Sequence, residues 1–423
     1  MVESNNKNRV ERKAHTTHCR FCNEPLTDVF VDLGMSPLSN SYLKASELDQ
    51  AERFFPLMAM VCSSCYLVQL KVYESPEEIF SDYAYFSSYS DSWLEHARRY
   101  VEMVTHRFNI SENSFVVELA SNDGYLLKNF LSKNVPILGI EPAENVAQAA
   151  IEKGIPTLVE FFSKELAEEL ATQNRRADLI VANNVLAHVP DINSFVGGIK
   201  TLLKPEGVAT LEFPHLLNLI RENEFDTIYH EHFSYLSFLA VRTIFDYHGM
   251  NIFDVDEIPT HGGSLRIYAC HKNSSHEQQP SVTALHDKEI SAGLDQLSTY
   301  YHFSQDVQQL KRDLLETLIR IKNEGKRIAG YGAAAKGNTL LNYCGVRTDI
   351  IDYVVDRNPN KAGKFLPGTH IPVKEVGTVR EDKPDYLMIL PWNLKEEIID
   401  QNSFIRDWGG KFIIPIPHVH IVD

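Results

Sequence analysis

The chain has 423 residues, enough to bury more than one hydrophobic core, so two or three domains are expected. With 57 acidic against 41 basic residues the net charge is −16, which opposes a polyanionic partner and argues against nucleic acid. No apolar run is long enough to span a bilayer, and the charged N-terminus (MVESNNKNRVERK) has no apolar stretch behind it. The chain therefore reads as soluble and cytoplasmic, without a membrane span or signal peptide.

The polar residues up to about 15 predict disorder. From His18 to about Val72 short β-like runs (Val29 to Leu33, Leu57 to Cys62, Tyr66 to Leu70) alternate with turns, and two C-x-x-C pairs, Cys19 with Cys22 and Cys62 with Cys65, frame the segment. Each pair suits a knuckle supplying two thiolates, and four thiolates fill the tetrahedral shell of Zn²⁺, leaving no position for water. A structural zinc, not a catalytic one, is expected in a β module over residues 16–75, which lacks the core to fold without its metal. The alternative is a pair of reduced or redox-active motifs, but no thioredoxin-like βαβ setting surrounds them. Cys270 and Cys344 stand alone and read as core residues.

Next comes Tyr83-Ala-Tyr85-Phe-Ser-Ser-Tyr89, ahead of a helix beginning near Asp91. Tyr83 and Tyr85 are candidates to line a polar site, against the alternative of an ordinary amphipathic segment. Strands and helices then alternate: Phe115 to Leu119, Val135 to Ile140, Asp178 to Ala182, Gly207 to Phe213, Gly249 to Val255 and Leu265 to Cys270, with helical periodicity at Asn145 to Lys153 and Ile192 to Leu203. That alternation predicts a doubly wound α/β sheet over residues 76–280. A mainly helical stretch from Ser281 to Asn323 leads into a second cycle, Arg327 to Tyr331, Ile350 to Val355, Tyr386 to Ile389 and Lys411 to Ile414, so residues 281–423 form a second Rossmann-like domain.

The first βα turn, in VVELASNDGYLLKNF, keeps one glycine, Gly124, where a dinucleotide fingerprint needs three; a pyrophosphate fits poorly. Glu118 ends its strand and Glu141 ends the next, 23 residues on, where a ribose-binding carboxylate belongs. E-L-A-S-N-D-G resembles the first motif of class I S-adenosylmethionine (SAM) methyltransferases; the alternative is any Rossmann-like turn. On that resemblance Glu118, Ala120, Asn122, Gly124, Glu141, Pro142 and Asn183 are the cofactor-binding candidates. The second turn, Gly330 to Asn338, could hold a phosphate on its backbone N–H groups with Lys336 beside it, or bind NAD or another nucleotide, or only pack a helix tightly on a strand.

The densest set of acid–base groups is Tyr229-His230-Glu231-His232-Phe-Ser-Tyr235, with His188 in Asn183-Asn184-Val-Leu-Ala-His188 expected to face the same cleft. A metal there is disfavoured, because H-E-H lacks the H-E-x-x-H spacing that puts two histidines on one helical face. The alternative is a set of hydrogen-bonded core or surface histidines.

Taken in order, CxxC…CxxC, E-L-A-S-N-D-G, N-V-L-A-H-V, E-F-P, Y-H-E-H-F-S-Y, H-G-G-S-L-R and G-Y-G-A-A-A-K-G-N resemble the sugar C-methyltransferases of nucleotide-linked 4-keto-6-deoxyhexoses. The resemblance runs from His18 to about Pro417. It implies a zinc module, a central SAM domain, a C-terminal Rossmann-like domain holding the nucleotide, and methyl transfer to C3 of the ketosugar. His232 is the expected base, with Tyr229, Glu231 and His188 as partners. Asn184, His230, Lys336, Asn338, Trp392 and Asn393 are expected to contact the substrate, in a monomer or dimer. Two rival enzymes stay open, a SAM-dependent methyltransferase of another acceptor and an NAD-dependent nucleotide-sugar enzyme, as does a zinc-dependent scaffold.

Overall fold

The computed structural model describes residues 18–72, 88 and 91–423. The polar N-terminal stretch and the tyrosine-rich segment, with Tyr83 and Tyr85, lie outside the described residues.

The first three strands, β1 (Asp28–Ser36), β2 (Phe55–Val61) and β3 (Val68–Leu70), form an antiparallel sheet. Eight more follow: β4 (Val116–Leu119), β5 (Ile137–Ile140), β6 (Thr157–Leu158), β7 (Ala177–Asn183), β8 (Leu203–Pro214), β9 (Ser234–Tyr235), β10 (Met250–Ile258) and β11 (Ser264–His271). All but β9 join one seven-stranded sheet in the order β6-β5-β4-β7-β8-β11-β10, parallel except for β11, which runs antiparallel to both its neighbours. The order reverses between β4 and β7, so a crevice opens beyond their carboxyl ends, where open α/β sheets bind ligands. β4 and β5 are buried at every residue, because helices cover both faces: Lys164–Thr172, Ile192–Leu202 and Phe238–Tyr247 on one, Asp91–Arg107 and Glu144–Glu152 on the other.

Two short strands escape a sequence reading. β6 is a two-residue edge strand, too brief to carry a period. β9 leaves the central segment to pair with β3 (Val68 opposite Tyr235, Gln69 opposite Ser234), so it extends the zinc module's sheet.

The third sheet contains β12 (Ile328–Tyr331), β13 (Val354–Asp356), β14 (Val373–Glu375), β15 (Tyr386–Ile389), β16 (Lys411–Ile414) and β17 (His420–Val422), ordered β14-β13-β12-β15-β16-β17 and parallel except for β17. The strand expected from Ile350 begins only at Val354. Ile350 and Ile351 both donate their N–H groups to Arg347 O at 3.0 Å, closing a turn that removes them from the ladder.

The stretch expected to be mainly helical forms two helices, Pro280–Ser291 and Leu297–Asn323. The longer one buries a single stripe, Tyr300, Phe303, Val307, Leu310, Leu314, Leu318 and Ile321. Its first turns receive the zinc module: Phe30 stacks on Phe303 with ring centroids 4.6 Å apart, and Tyr300 meets Phe30 edge-on. The module and the C-terminal domain thus share one apolar core.

Candidate active site

The crevice at β4 is shaped by its turn. Ala120, Asn122 and Gly124 adopt φ of 51°, 50° and 75°, so alternate residues are left-handed and the backbone curls on itself. A Cβ on Gly124 would stand 2.8 Å from Ile155 Cγ1, so the close approach of Ile155 and the positive φ both favour glycine there. Glu141, at the end of β5, pins the turn by accepting from Asn122 N (2.9 Å) and Ala143 N (2.8 Å), leaving one lone pair on each oxygen. Pro142 lies between these anchors.

Around the turn, several buried polar atoms have no partner among the described residues: Glu118 Oε2, Ser121 Oγ, Asp123 Oδ1 and both amide atoms of Asn183. Each would cost about 1–3 kcal/mol if nothing paired with it. Burial, with Glu141 and Asp123 close by, pushes the Glu118 carboxyl well above the usual range. The carboxyl oxygens call for donors while the Asn183 amide and the Ser121 hydroxyl can also donate, a mixed set that the hydroxyl, ammonium and carboxylate groups of SAM match. These residues fit the cofactor.

Three residues without a role in the sequence reading form a hydrogen-bonded cluster. Glu212 of β8 is fully buried between Arg266 Nε (2.7 Å) and His96 Nε2 (2.9 Å), which ties the helix Asp91–Arg107 to the strands β8 and β11. Glu212 and Arg266 stand in the E-F-P and S-L-R motifs, but the pairing partner, His96, carries no motif.

The acid–base groups converge beside β7. His188 closes a short 3-10 turn (Leu186–His188) immediately after β7, and Phe233 N donates to Ala187 O at 2.7 Å, drawing the second segment alongside. Tyr229 and His232 share a face, as their three-residue spacing predicts, although through one turn closed by His232 N on Tyr229 O (2.9 Å) and not a helix. The Tyr229 ring lies 4.1 Å from that of His232, and the His188 ring meets His232 edge-on at 4.6 Å.

Hydrogen bonding assigns the tautomers. His232 Nδ1 faces Thr227 O at 3.0 Å and His188 Nδ1 faces Glu231 O at 2.9 Å; a carbonyl only accepts, so both rings carry a proton on Nδ1, and in the neutral form the basic lone pair is on Nε2. Burial pushes His188 down to about 4, which keeps it neutral. His230 turns to the zinc module, with Nε2 3.3 Å from Pro56 O and its ring against Phe55. The Glu231 carboxyl, pushed up by burial, accepts from Asn40 Nδ2 at 2.6 Å. Asn184 lies half-buried beyond β7 with φ 55°, its N–H on Glu212 O at 2.7 Å.

The second turn is closed more tightly than its sequence suggests. A Cβ on Gly332 would meet Pro391 at 2.5 Å and one on Gly330 would meet Val354 at 2.8 Å, so these glycines serve close packing. Lys336 donates to Asn393 Oδ1 at 2.8 Å and lies over the Trp392 ring, whose Nε1 donates to Asp226 Oδ2 at 2.8 Å. Asn338 donates to Ser39 O of the zinc module at 2.6 Å. Lys336, Trp392 and Asn393 are therefore brought together, and they face an acid pair that the sequence reading missed. Burial, with Asp226 nearby, pushes Glu224 up to about 8; burial pushes Asp226 up to about 6.

Native Glu224 keeps its proton to about pH 8, whereas an unfolded glutamate releases it near pH ~4.3. Its contribution to stability is full below about pH 4 and is lost as the pH rises through about 8. Glu224→Gln should therefore flatten the fall in Tm between about pH 5 and 8 relative to the parent. Parallel Tm curves for the two proteins would contradict the raised value.

The cysteines meet as expected. The four Sγ atoms lie within 4.8 Å of one another, with Cys19–Cys65 at 3.6 Å, Cys22–Cys62 at 3.5 Å and Cys22–Cys65 at 3.7 Å. A tetrahedron with Zn–S of ~2.3 Å has an edge near ~3.8 Å, so the set fits Zn²⁺. Gln69 Nε2 donates to Cys19 Sγ at 3.2 Å, supporting the thiolate form.

Comparison with known proteins bears on the whole chain. Family models match residues 19–80 as a zinc binding domain, 93–255 as a methyltransferase domain and 259–417 as a C-methyltransferase C-terminal domain. The chain is 35% identical to C-methyltransferase NovU of Streptomyces niveus over 405 residues, 96% of each protein. It is 28% identical over 104 residues to a ubiquinone biosynthesis O-methyltransferase of Bartonella tribocorum, covering 24% of this chain and 42% of that one. Among solved structures, magnesium protoporphyrin IX methyltransferase of Synechocystis with bound SAM aligns at 15% identity and a TM-score of 0.33, over 46% of this chain and 88% of that one. Among the described residues no helix is long and apolar enough to cross a membrane. With NovU matched along nearly its entire length and the crevice and thiolate set formed as described, the chain belongs to the SAM-dependent C-methyltransferases that carry a zinc-binding domain.

Proposed function

We propose that this enzyme methylates C3 of a nucleotide-linked 4-keto-6-deoxyhexose. The observation that carries the reading is the contact of two imidazoles and a phenol next to the carboxyl end of β7. Carbon becomes a nucleophile only when a neighbouring carbonyl accepts the charge of the lost proton, so the site needs a base at C3 and a donor at the C4 oxygen.

His232 is the base: its Nε2 lone pair takes the C3 proton, and the positive ring that results keeps Nδ1–H on Thr227 O. Tyr229 donates to the C4 oxygen as charge builds there. His188 does not suit that donor role, because its N–H is given to Glu231 O and burial keeps it from gaining a second proton. Its neutral ring fixes the orientation of His232 by edge contact. Bound SAM supplies an electrophilic methyl, and the chain's task is to align the carbon with it and exclude water.

Glu141 holds the ribose hydroxyls with its remaining lone pairs, and Glu118 and Asn183 face the amino-acid end. The C-terminal domain holds the nucleotide near Lys336. The test is NMR of the product from ¹³C-methyl SAM and thymidine- or uridine-diphospho-4-keto-6-deoxyhexoses. A methyl correlated to a quaternary C3 is expected. A methyl on oxygen or nitrogen, or no transfer to any such sugar, would overturn the assignment.

A further inference from the structure

The hydrogen bond from His232 Nδ1 ends on the carbonyl of Thr227, and the residues on either side of Thr227 are bonded to the C-terminal domain. Thr227 lies between Asp226 and Ile228, both fully buried. The Asp226 carboxylate accepts from Trp392 Nε1 at 2.8 Å, and the Ile228 carbonyl accepts from Thr339 Oγ1 at 3.2 Å. Trp392 follows β15 and Thr339 stands on the helix Ala335–Cys344, so both donors belong to the C-terminal domain. Inside the segment, Thr227 Oγ1 closes back on Glu224 O at 2.7 Å, and Phe225 packs edge-on against Tyr343 of the same helix.

We propose that Trp392 and Thr339 are positioning residues for methyl transfer: by holding the Asp226 side chain and the Ile228 carbonyl, on either side of Thr227, they fix the turn whose carbonyl sets the tautomer and orientation of His232. Which ring nitrogen carries the proton is decided by the partner of the other nitrogen. If the Thr227 carbonyl drifts, the Nε2–H tautomer becomes accessible and the ring loses the lone pair that points at C3. The C-terminal domain thereby acts on the chemistry of the central domain, and the indole of Trp392 serves the catalytic turn through Asp226 and not chiefly as a surface for the substrate. This proposal rests on the reading of His232 as the base.

The experiment follows exchange of the C3 proton with deuterated solvent, using S-adenosylhomocysteine in place of SAM, together with kcat and KM for methyl transfer. Trp392→Phe keeps an aromatic ring and removes the N–H; Thr339→Val keeps the shape and removes the hydroxyl. For each, exchange and kcat should fall by about 10- to 100-fold with KM for the nucleotide sugar and SAM affinity within about twofold of the parent. His232→Asn is measured beside them. If His232→Asn loses exchange while both clamp variants keep the parental rate, the clamp is refuted and the base stands. If His232→Asn exchanges at the parental rate, the base assignment itself fails, and the clamp with it. A loss in kcat matched by an equal rise in KM, or by an equal loss of folded enzyme, would show a ligand contact or a purely structural role and would also overturn the proposal.

Discussion

Replacing His232 by Asn is expected to lower kcat by roughly 10²–10⁴ while SAM affinity stays near the parental value. The amide keeps a donor toward Thr227 O but carries no basic lone pair, so proton removal at C3 is lost and little else. The residues proposed to hold SAM, the turn after β4 and Glu141, stand on different segments from Tyr229 and His232. The loss should therefore appear in kcat and in C3 exchange together. A His232→Asn enzyme with parental exchange would remove His232 from the mechanism. Tyr229→Phe separates the two roles, since a donor to the C4 oxygen slows both steps without abolishing exchange, whereas a base abolishes it.

The second large effect concerns the metal. A Cys19→Ser, Cys62→Ser double variant removes one ligand from each knuckle and should lose its zinc, with the module over β1 to β3 unfolded. Structural zinc contributes roughly 10–16 kcal/mol of apparent binding energy in small modules, comparable to or larger than the ~5–15 kcal/mol net stability of a typical domain. The damage should spread further than the thiolates. β9 pairs with β3, Asn40 holds Glu231, and Phe30 fills the face of the helix Leu297–Asn323. Methyl transfer should fall with the zinc, because these contacts reach the segment that carries Tyr229 and His232. Metal analysis and thermal melts decide the matter: parental zinc content and an unchanged Tm in the double variant would sink the structural role.

The first βα turn was legible because it is local. An apolar strand, an acid, a compact polar turn and a helix at regular spacing occupy fifteen consecutive residues, and backbone sterics place the turn at the strand's carboxyl end whatever surrounds it. The same holds for the C-x-x-C knuckles and for the shared face of Tyr229 and His232. The glycines of Gly330 to Asn338 show the limit of such reasoning. Their spacing suits phosphate binding and close packing alike, and the approach of Pro391 and Val354 accounts for them by packing.

Local spacing and the order of the motifs determined the class of fold, the thiolate set, the cofactor turn and the family resemblance, because each depends on residues near one another in the chain. Only the tertiary structure decided what those parts touch. The pairing of β9 with β3, the edge contact of His188 with His232, and the clasp of Asp226 by Trp392 join segments far apart in sequence. No helical or strand period spans such separations. Tautomer and charge followed from those contacts: a carbonyl opposite Nδ1 made His188 and His232 bases at Nε2, and burial held His188 neutral, none of which the residue names alone contain.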